Sequence, residues 1–362
     1  MTGATGFLGA FLLHELLKQT AAKVYCLVRA TTDGEARERL RHCLDRYEIP
    51  QPHSSDRVIS LRGDLAEPRL GLSSGQFQAL AQSVDQIYHN GALVNFVQPY
   101  PALKAANVLG TQEVLRLACT DKVKPVHYVS TLSVFGNEPS PGPHGFSERD
   151  FPEPSADLDN GYAQSKWVAE RVVRIAASRG IPVSIYRPAT IGGHSLTGVW
   201  NTDDYTCRLI KGCILLGAAP KGEHTFDIVA VDQVSRAIVG LSMHPGCIGQ
   251  TYHFTNPNPI TSTMLLDRCI ALGYPVERVP LLKWRDRART VAGNSPDHVL
   301  YPLLMLFAND LGERDDLSAE PSRRYANTKT CEELQRLGID YESVQPTQLD
   351  RYFAYFNRIS FL

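Results

Sequence analysis

The sequence predicts an α/β fold: a doubly wound parallel sheet with a smaller, mainly helical C-terminal lobe. Two observations predict it. Apolar, β-branched runs alternate with amphipathic runs of helical period through the first half of the chain. A glycine-rich run, T-G-A-T-G-F-L-G from Thr2 to Gly9, comes directly before helix-like Ala10–Leu17. Gly3, Gly6 and Gly9 fall at every third position, with Thr5, Phe7 and Leu8 between them. In such a loop backbone N–H groups face a pyrophosphate at the positive end of a helix. The loop normally follows a buried central strand, and only Met1 precedes it here. The sheet as written is therefore expected to lack a central member, and the chain reads as a piece of something longer.

In chain order, Lys23–Val28 reads as a strand and Glu35–Tyr47 as a helix. Val58–Leu61 is a strand ending in the turn Gly63-Asp64, followed by helix Gln76–Ser83 and strand Gln86–Tyr88. Leu103–Cys119 is a long helix, Pro125–Val129 a strand, Tyr162–Ser178 a helix and Val183–Tyr186 a strand. This rhythm gives a Rossmann-like sheet, whose ligands bind beyond the carboxyl ends of the strands. It loosens after Pro188, where Leu209–Leu216 and Val231–Met243 read as helices and Phe226–Val229 and Tyr252–Phe254 as late strands. Glu138–Pro154 reads as a surface loop. The expected division is a dinucleotide-binding domain over 1–255, with 197–224 contributing to a substrate lobe, and a C-terminal substrate-facing subdomain over 256–362.

Composition narrows the function classes. A hydrophobic fraction of 43% and a charged fraction of 21% suit a globular protein, and a net charge of -1 gives no pull toward nucleic acid or anionic membranes. No run reaches the length of a membrane span and no signal-peptide layout opens the chain, so a cytoplasmic protein is expected. The eight cysteines show no C-x-x-C pair and no zinc spacing, so no metal site is expected.

The end of the second strand faces the adenosine ribose. Arg29 stands where an acidic residue would read the 2′-hydroxyl of NAD, and a guanidinium suits a 2′-phosphate. Arg39 could approach from the following helix. Asp64 and Leu65 follow the third strand-like segment and could flank the adenine. Asn90, Gly91 and Ala92 permit close approach to the cofactor, whereas His89 reads as an internally satisfied histidine. The catalytic candidates are Thr131, Tyr162 and Lys166. Tyr162 and Lys166 lie four apart on one helix face, where an ammonium would lower the phenol pKa toward that of a useful acid. Thr131, at a strand end, could hydrogen-bond a carbonyl oxygen; Ser130 and Ser133 are the fallback hydroxyls. Tyr100 and Lys104 share the same spacing but straddle Pro101, which suits a helix entrance.

These residues resemble the extended short-chain dehydrogenase/reductases. The resemblance is closer still to terminal thioester reductase domains of nonribosomal peptide synthetases, with relatives in carboxylic acid reductases and aminoadipate reductases. It is carried by T-G-A-T-G-F-L-G, C-L-V-R-A at Cys26, H-N-G-A-L-V-N at His89, A-N-V-L-G-T-Q-E at Ala106, V-S-T at Val129, G-Y-A-Q-S-K-W at Gly161 and Y-R-P-A-T-I-G-G at Tyr186. It implies NADPH as cofactor, with Arg29 and Arg39 near its 2′-phosphate and Pro188 and Thr190 lining the nicotinamide pocket. It implies reduction of an acyl or peptidyl thioester on a carrier protein's phosphopantetheine arm to an aldehyde, with further reduction to the alcohol as an option. Tyr162 and Thr131 would stabilise the oxyanion and Lys166 would support Tyr162 and the ribose. The Trp200–Lys211 segment and the lobe after Asn256 would form the carrier entrance, and the isolated domain would be a monomer. The rivals are a nucleotide-sugar epimerase or dehydratase, which Arg29 disfavours, and a non-catalytic carrier-docking module, which the intact Thr131, Tyr162 and Lys166 disfavour.

Overall fold

The computed structural model describes residues 1–50, 55–137, 145–153, 158, 160–293, 295, 297–304 and 324–362. Residues 138–144 and 154 of the expected loop over Glu138–Pro154 lie outside the described residues.

The chain divides into two compact units. The first comprises Met1–Ile191, Val231–Thr255 and Arg324–Glu342. Its parallel sheet runs β2 (Val58–Arg62) beside β1 (Val24–Val28), and β3 (Ile87–His89), β4 (Val126–Val129), β5 (Val183–Pro188) and the late strand Thr251–Phe254 side by side. Thr2 joins the two parts, bridging in parallel to Leu27 and to His89. Its N–H donates to Tyr88 O, and Leu27 N–H donates to Met1 O. Met1 and Thr2 thus occupy the place of the central strand.

Period-two alternation sorts the sheet's faces. Ile87, Val126, Tyr128, Val183 and Ile185 share a core with Phe77 and Ala81 of helix Ser74–Ser83, Val114 and Leu117 of helix Gly110–Cys119, and Ala169 and Val173 of α6 (Gly161–Ser178). The intervening residues face the other way. Tyr88 hydroxyl bonds Ser242 Oγ at 2.6 Å on helix Val231–Ser242, which packs against α1 (Phe7–Gln19). Helices therefore cover both faces, as the βαβ rhythm requires. The expected helix over Leu103–Cys119 begins earlier, at Tyr100, and contains a π-helical turn over Ala105–Leu109. A π turn has no signature in hydrophobic period, so nothing in the residue pattern announces it.

The second unit comprises Gly192–Ala230, Asn256–Arg323 and Ser343–Leu362. It holds α7 (Tyr205–Leu216), helices Ser262–Ala271, Leu281–Ala292 and Pro346–Arg358, and two strand pairs, Ala218–Pro220 with Glu277–Val279 and Thr225–Phe226 with Ile260–Thr261. Trp200 packs on Tyr352 and Phe356, and Trp284 Nε1 donates to Ala218 O at 2.9 Å. The continuous C-terminal subdomain read over 256–362 is interrupted, because Arg324–Glu342 lies in the first unit. The cause is polar and aromatic pairing. Thr330 N–H and hydroxyl both donate to buried Glu148, His253 N–H donates to Thr330 Oγ1, and Tyr325 joins the ring cluster of Phe135 and Phe146.

Candidate active site

The glycine loop is shaped by contacts within the first unit. Gly3 has φ +73°, and a Cβ there would stand 2.7 Å from the Gly91 backbone. A Cβ on Gly9 would run into Gly3 O. Gly6 differs: it is exposed, and its Cβ would meet only Gly3 O, at 3.4 Å. The fold itself does not demand a glycine at position 6, which leaves close approach from outside as the use of its bare backbone. Gly6 caps α1 without a side-chain bond, and the helix's first turn holds no acidic residue, so its positive end is open to an anion. Phe7 packs on Phe11 and Tyr47 and Leu8 is buried, so these two can offer only backbone N–H groups. Thr5 lies half-buried in the turn. These features fit a dinucleotide.

Asn90 Nδ2 donates to Gly3 O at 3.4 Å and Gly91 N–H donates to Thr2 Oγ1 at 2.9 Å, so both brace the loop, with Ala92 half-buried beside them. His89 is bonded at both ring nitrogens, to Thr2 Oγ1 at 2.8 Å and Thr111 Oγ1 at 2.9 Å. Thr111 hydroxyl donates to Asn107 O, so His89 Nε2 carries the proton and Nδ1 accepts from Thr2. Burial pulls the His89 pKa down to about 3, which keeps the ring neutral.

Just beyond the end of β1, Arg29 is exposed and bonds to no other described residue. Arg39 pairs with Glu35 at 3.8 Å on the surface of helix Asp33–Arg46. Arg62, which the sequence reading missed, closes β2 opposite Val28 and donates to Thr31 O at 2.8 Å. Parallel register brings it beside the Arg29 end of β1, a pairing that the residue pattern alone does not announce. Asp64 Oδ1 caps its own turn by accepting from Ala66 N–H, and Leu65 packs under Gly91 and Gly110. Pro188 is buried at the end of β5, and Thr190 is exposed just beyond.

Tyr162 and Lys166 lie in the first two turns of α6, which Asn160 caps by accepting from Ala163 N–H. Phe96 stacks edge-on to Tyr162 at 5.3 Å, and the Tyr162 hydroxyl bonds to no described residue. The expected depression of its pKa is corrected here: burial pushes it up to about 12. Lys166 Nζ donates to Val129 O at 2.8 Å and sits 4.4 Å over the Tyr128 ring, and burial lowers its own pKa to about 7. Tyr162 therefore stays a neutral donor at every physiological pH. Thr131 caps the short helix Leu132–Phe135 by accepting from Ser133 N–H, and its hydroxyl is 3.2 Å from Ser133 Oγ. Of the fallback hydroxyls, Ser130 is committed to Glu170 Oε2 at 2.6 Å, whereas Ser133 is exposed. Tyr100, the second Tyr-x-x-x-Lys match, opens the helix Tyr100–Lys104.

Sequence reasoning also missed Asn107, whose carboxamide accepts from Leu93 N–H at 2.7 Å and donates to Ser165 Oγ at 2.9 Å. It ties the loop after β3 to the helix of Tyr162. The π turn that carries it is what hid it.

This fold and site define a nucleotide-binding oxidoreductase, and comparison specifies it. The chain belongs to the NAD-binding family described as "Male sterility protein", whose model matches residues 1–238, and to the terminal reductase (R) domains of peptide synthetases. The terminal R domain from the myxalamid PKS-NRPS biosynthetic pathway is 43% identical, superposes with a TM-score of 0.90, and is matched over 100% of this chain and 90% of that one. The reductase (R) domain of a nonribosomal peptide synthetase from Mycobacterium tuberculosis is 28% identical with a TM-score of 0.82, over 100% and 91% of the two chains. A linear gramicidin synthase polypeptide of Brevibacillus parabrevis is 43% identical over 99% of this chain, and the L-2-aminoadipate reductase of Penicillium chrysogenum, in its large subunit, 35% over 90%. The chain spans only 7% and 25% of those two proteins. Epimerases are more distant: a UDP-glucuronic acid 4-epimerase from Bacillus cereus, at 20% identity and a TM-score of 0.64, shares the fold. No described helix is long and apolar enough to cross a membrane.

Proposed function

We propose that this chain is an NADPH-dependent reductase that releases a phosphopantetheine-bound acyl or peptidyl thioester as an aldehyde, with the alcohol as a second product. The observation that carries it is the Tyr162 hydroxyl, bonded to no described residue, one helical turn before buried Lys166, whose Nζ holds Val129 O two residues before Thr131, in one unit with the open positive end of α1. When bound, the reduced nicotinamide supplies hydride to the thioester carbonyl carbon. Thr131 and Tyr162 hydrogen-bond the carbonyl oxygen as negative charge grows on it, and Tyr162 can pass its proton there. Lys166, fixed by Val129 O, supports Tyr162 and the nicotinamide ribose. Collapse of the thiohemiacetal expels the carrier thiol. Exposed Arg29 favours NADPH, with Arg39 and Arg62 within the same surface region, while Asp64 and Leu65 flank the adenine and Pro188 and Thr190 the nicotinamide. The Trp200–Lys211 segment and the second unit receive the carrier. The R-domain relatives, among them a thiolation-reductase di-domain from an archaeal synthetase, support a carrier partner.

Fluorescence titration of NADPH with and without an acyl-pantetheine thioester tests this reading. Binding followed by oxidation only when the thioester is present is expected. Binding without oxidation would leave a carrier-docking module, and oxidation driven by a nucleotide sugar would overturn the proposal.

A further inference from the structure

Behind the candidate site lies a buried ionic cluster that the proposed chemistry does not use. Glu170 follows Lys166 by one helical turn and Tyr162 by two, so all three share a face of α6. Its carboxylate is fully buried and takes four donors. Ser130 Oγ and Arg187 Nε reach Oε2 at 2.6 and 3.1 Å, and Arg187 Nη2 and Arg174 Nε reach Oε1 at 2.5 and 2.9 Å. Arg187 is itself fully buried, and its Nη1 donates to Asp150 O at 2.8 Å and His253 Nε2 at 3.0 Å. Ser130 immediately precedes Thr131 and immediately follows Val129, whose carbonyl holds Lys166. Arg187 immediately precedes Pro188.

We propose that Glu170 is a positioning residue for this site: it clamps the ends of β4 and β5 to the helix of Tyr162 and Lys166, and sets a buried anion on the Lys166 face. A buried pair is not needed for stability as such, because well-packed apolar residues often serve as well. Here the geometry gives it a task. The four donors fix the backbone on which Thr131, Val129 O and Pro188 depend, to the tolerance that oxyanion stabilisation requires. The inference rests on the reading of Thr131, Tyr162 and Lys166 as the catalytic group.

The groups facing Lys166 are His89 on β3, Tyr128 on β4 and Glu170 on α6 itself, with Tyr162 one helical turn before it; Arg174 and Arg187 face Glu170. His89 is neutral and Tyr128 and Tyr162 stay protonated, which leaves Glu170 as the anion that opposes the burial of the ammonium.

Glu170→Gln removes the charge and leaves Arg187 buried and unpaired, so it risks unfolding. Glu170→Asp keeps the charge, and Ser130→Ala removes one donor only. In the full chain, the 13Cε shift of Lys166, assigned with Lys166→Arg, reports its titration without any turnover. Glu170→Gln should move that titration down by at least one pH unit, and Glu170→Asp should leave it within about half a unit. Ser130→Ala should lower kcat about 3- to 10-fold with KM for NADPH unchanged, as expected for a loosened Thr131. An unshifted Lys166 titration in a folded Glu170→Gln protein, or a Ser130→Ala protein with unchanged kcat, overturns the proposal. If Glu170→Gln does not fold, the kcat of Ser130→Ala decides alone. A parent chain that binds NADPH but reduces no thioester instead overturns the functional reading, and the Lys166 titration still decides the role of the anion.

Discussion

The first unit holds three buried histidines neutral, and the second holds two half-buried aspartates whose protonated form is favoured. His89, His127 and His253 each have both ring nitrogens bonded, and each is pushed down to about 3 by burial. Thr, Tyr, Gln and Arg partners and a backbone carbonyl fix them as neutral rings that brace the sheet under the candidate site. In the second unit Asp204 caps α7 through Cys207 N–H and Asp227 accepts from Asn256 N–H, and burial pushes them up to about 6 and about 7. The difference teaches that burying a polar group sets a pH response whose sign depends on which form is buried. A histidine held neutral contributes stability in full above pH 6.5 and loses it as pH falls toward 3. An aspartate held protonated contributes in full below its ordinary pKa near 4 and loses it as pH rises through 6 to 7.

Four perturbations sharpen or break the comparison of the two units and of the roles proposed for them. The largest effect belongs to Tyr162→Phe. It keeps the ring packed on Phe96 and should cost about 10²- to 10⁴-fold in turnover while NADPH binding persists. The loss should be larger for aldehyde than for thioester reduction, because a thiolate leaves without a proton. Tyr100→Phe is the control and should change little; if it proves the more damaging, the assignment fails. Next is Arg29→Ala, which should weaken NADPH roughly 10- to 150-fold and leave NADH nearly untouched, as isothermal titration would read. Equal use of both cofactors by the parent chain sinks that claim. Leu196→Ser and Leu215→Ser, at side chains 70% and 58% exposed in the second unit, should raise KM for a carrier thioester a few-fold. Equal damage to NADPH affinity would remove the receiving role of that unit. The smallest effect is acid sensitivity. Between pH 6 and 4 each buried histidine should cost the first unit up to about 1.4 kcal/mol per pH unit, while the second unit gains. Hydrogen exchange corrected for intrinsic rates should show protection falling around Tyr88 and His127 and rising around Cys207; a fall in both refutes the contrast.

Most of the first unit was legible because its cues are local. The Thr2–Gly9 spacing marks the loop, β-branched runs mark strands, and Tyr162–Lys166 needs only helical period. What escaped depends on register and on distant pairing. Arg62 acquires its neighbour from β1–β2 register, Asn107 sits on a π turn, and Arg324–Glu342 joins the first unit through Thr330 and Tyr325. The spacing of Tyr162 and Lys166 was readable and their electrostatics were not, because burial acts on both groups more strongly than they act on each other.

The central claim is a transfer of hydrogen from NADPH to a carrier-bound carbonyl, assisted by Tyr162. Its most direct test supplies NADPH deuterated at both C4 positions with an acyl thioester on a phosphopantetheinylated carrier, and reads the product by mass spectrometry. The expected result is an aldehyde bearing one deuterium at C1, one free carrier thiol and one oxidised cofactor per turnover, all reduced together in Tyr162→Phe. Release of the free carboxylic acid, or an aldehyde without deuterium, would contradict it.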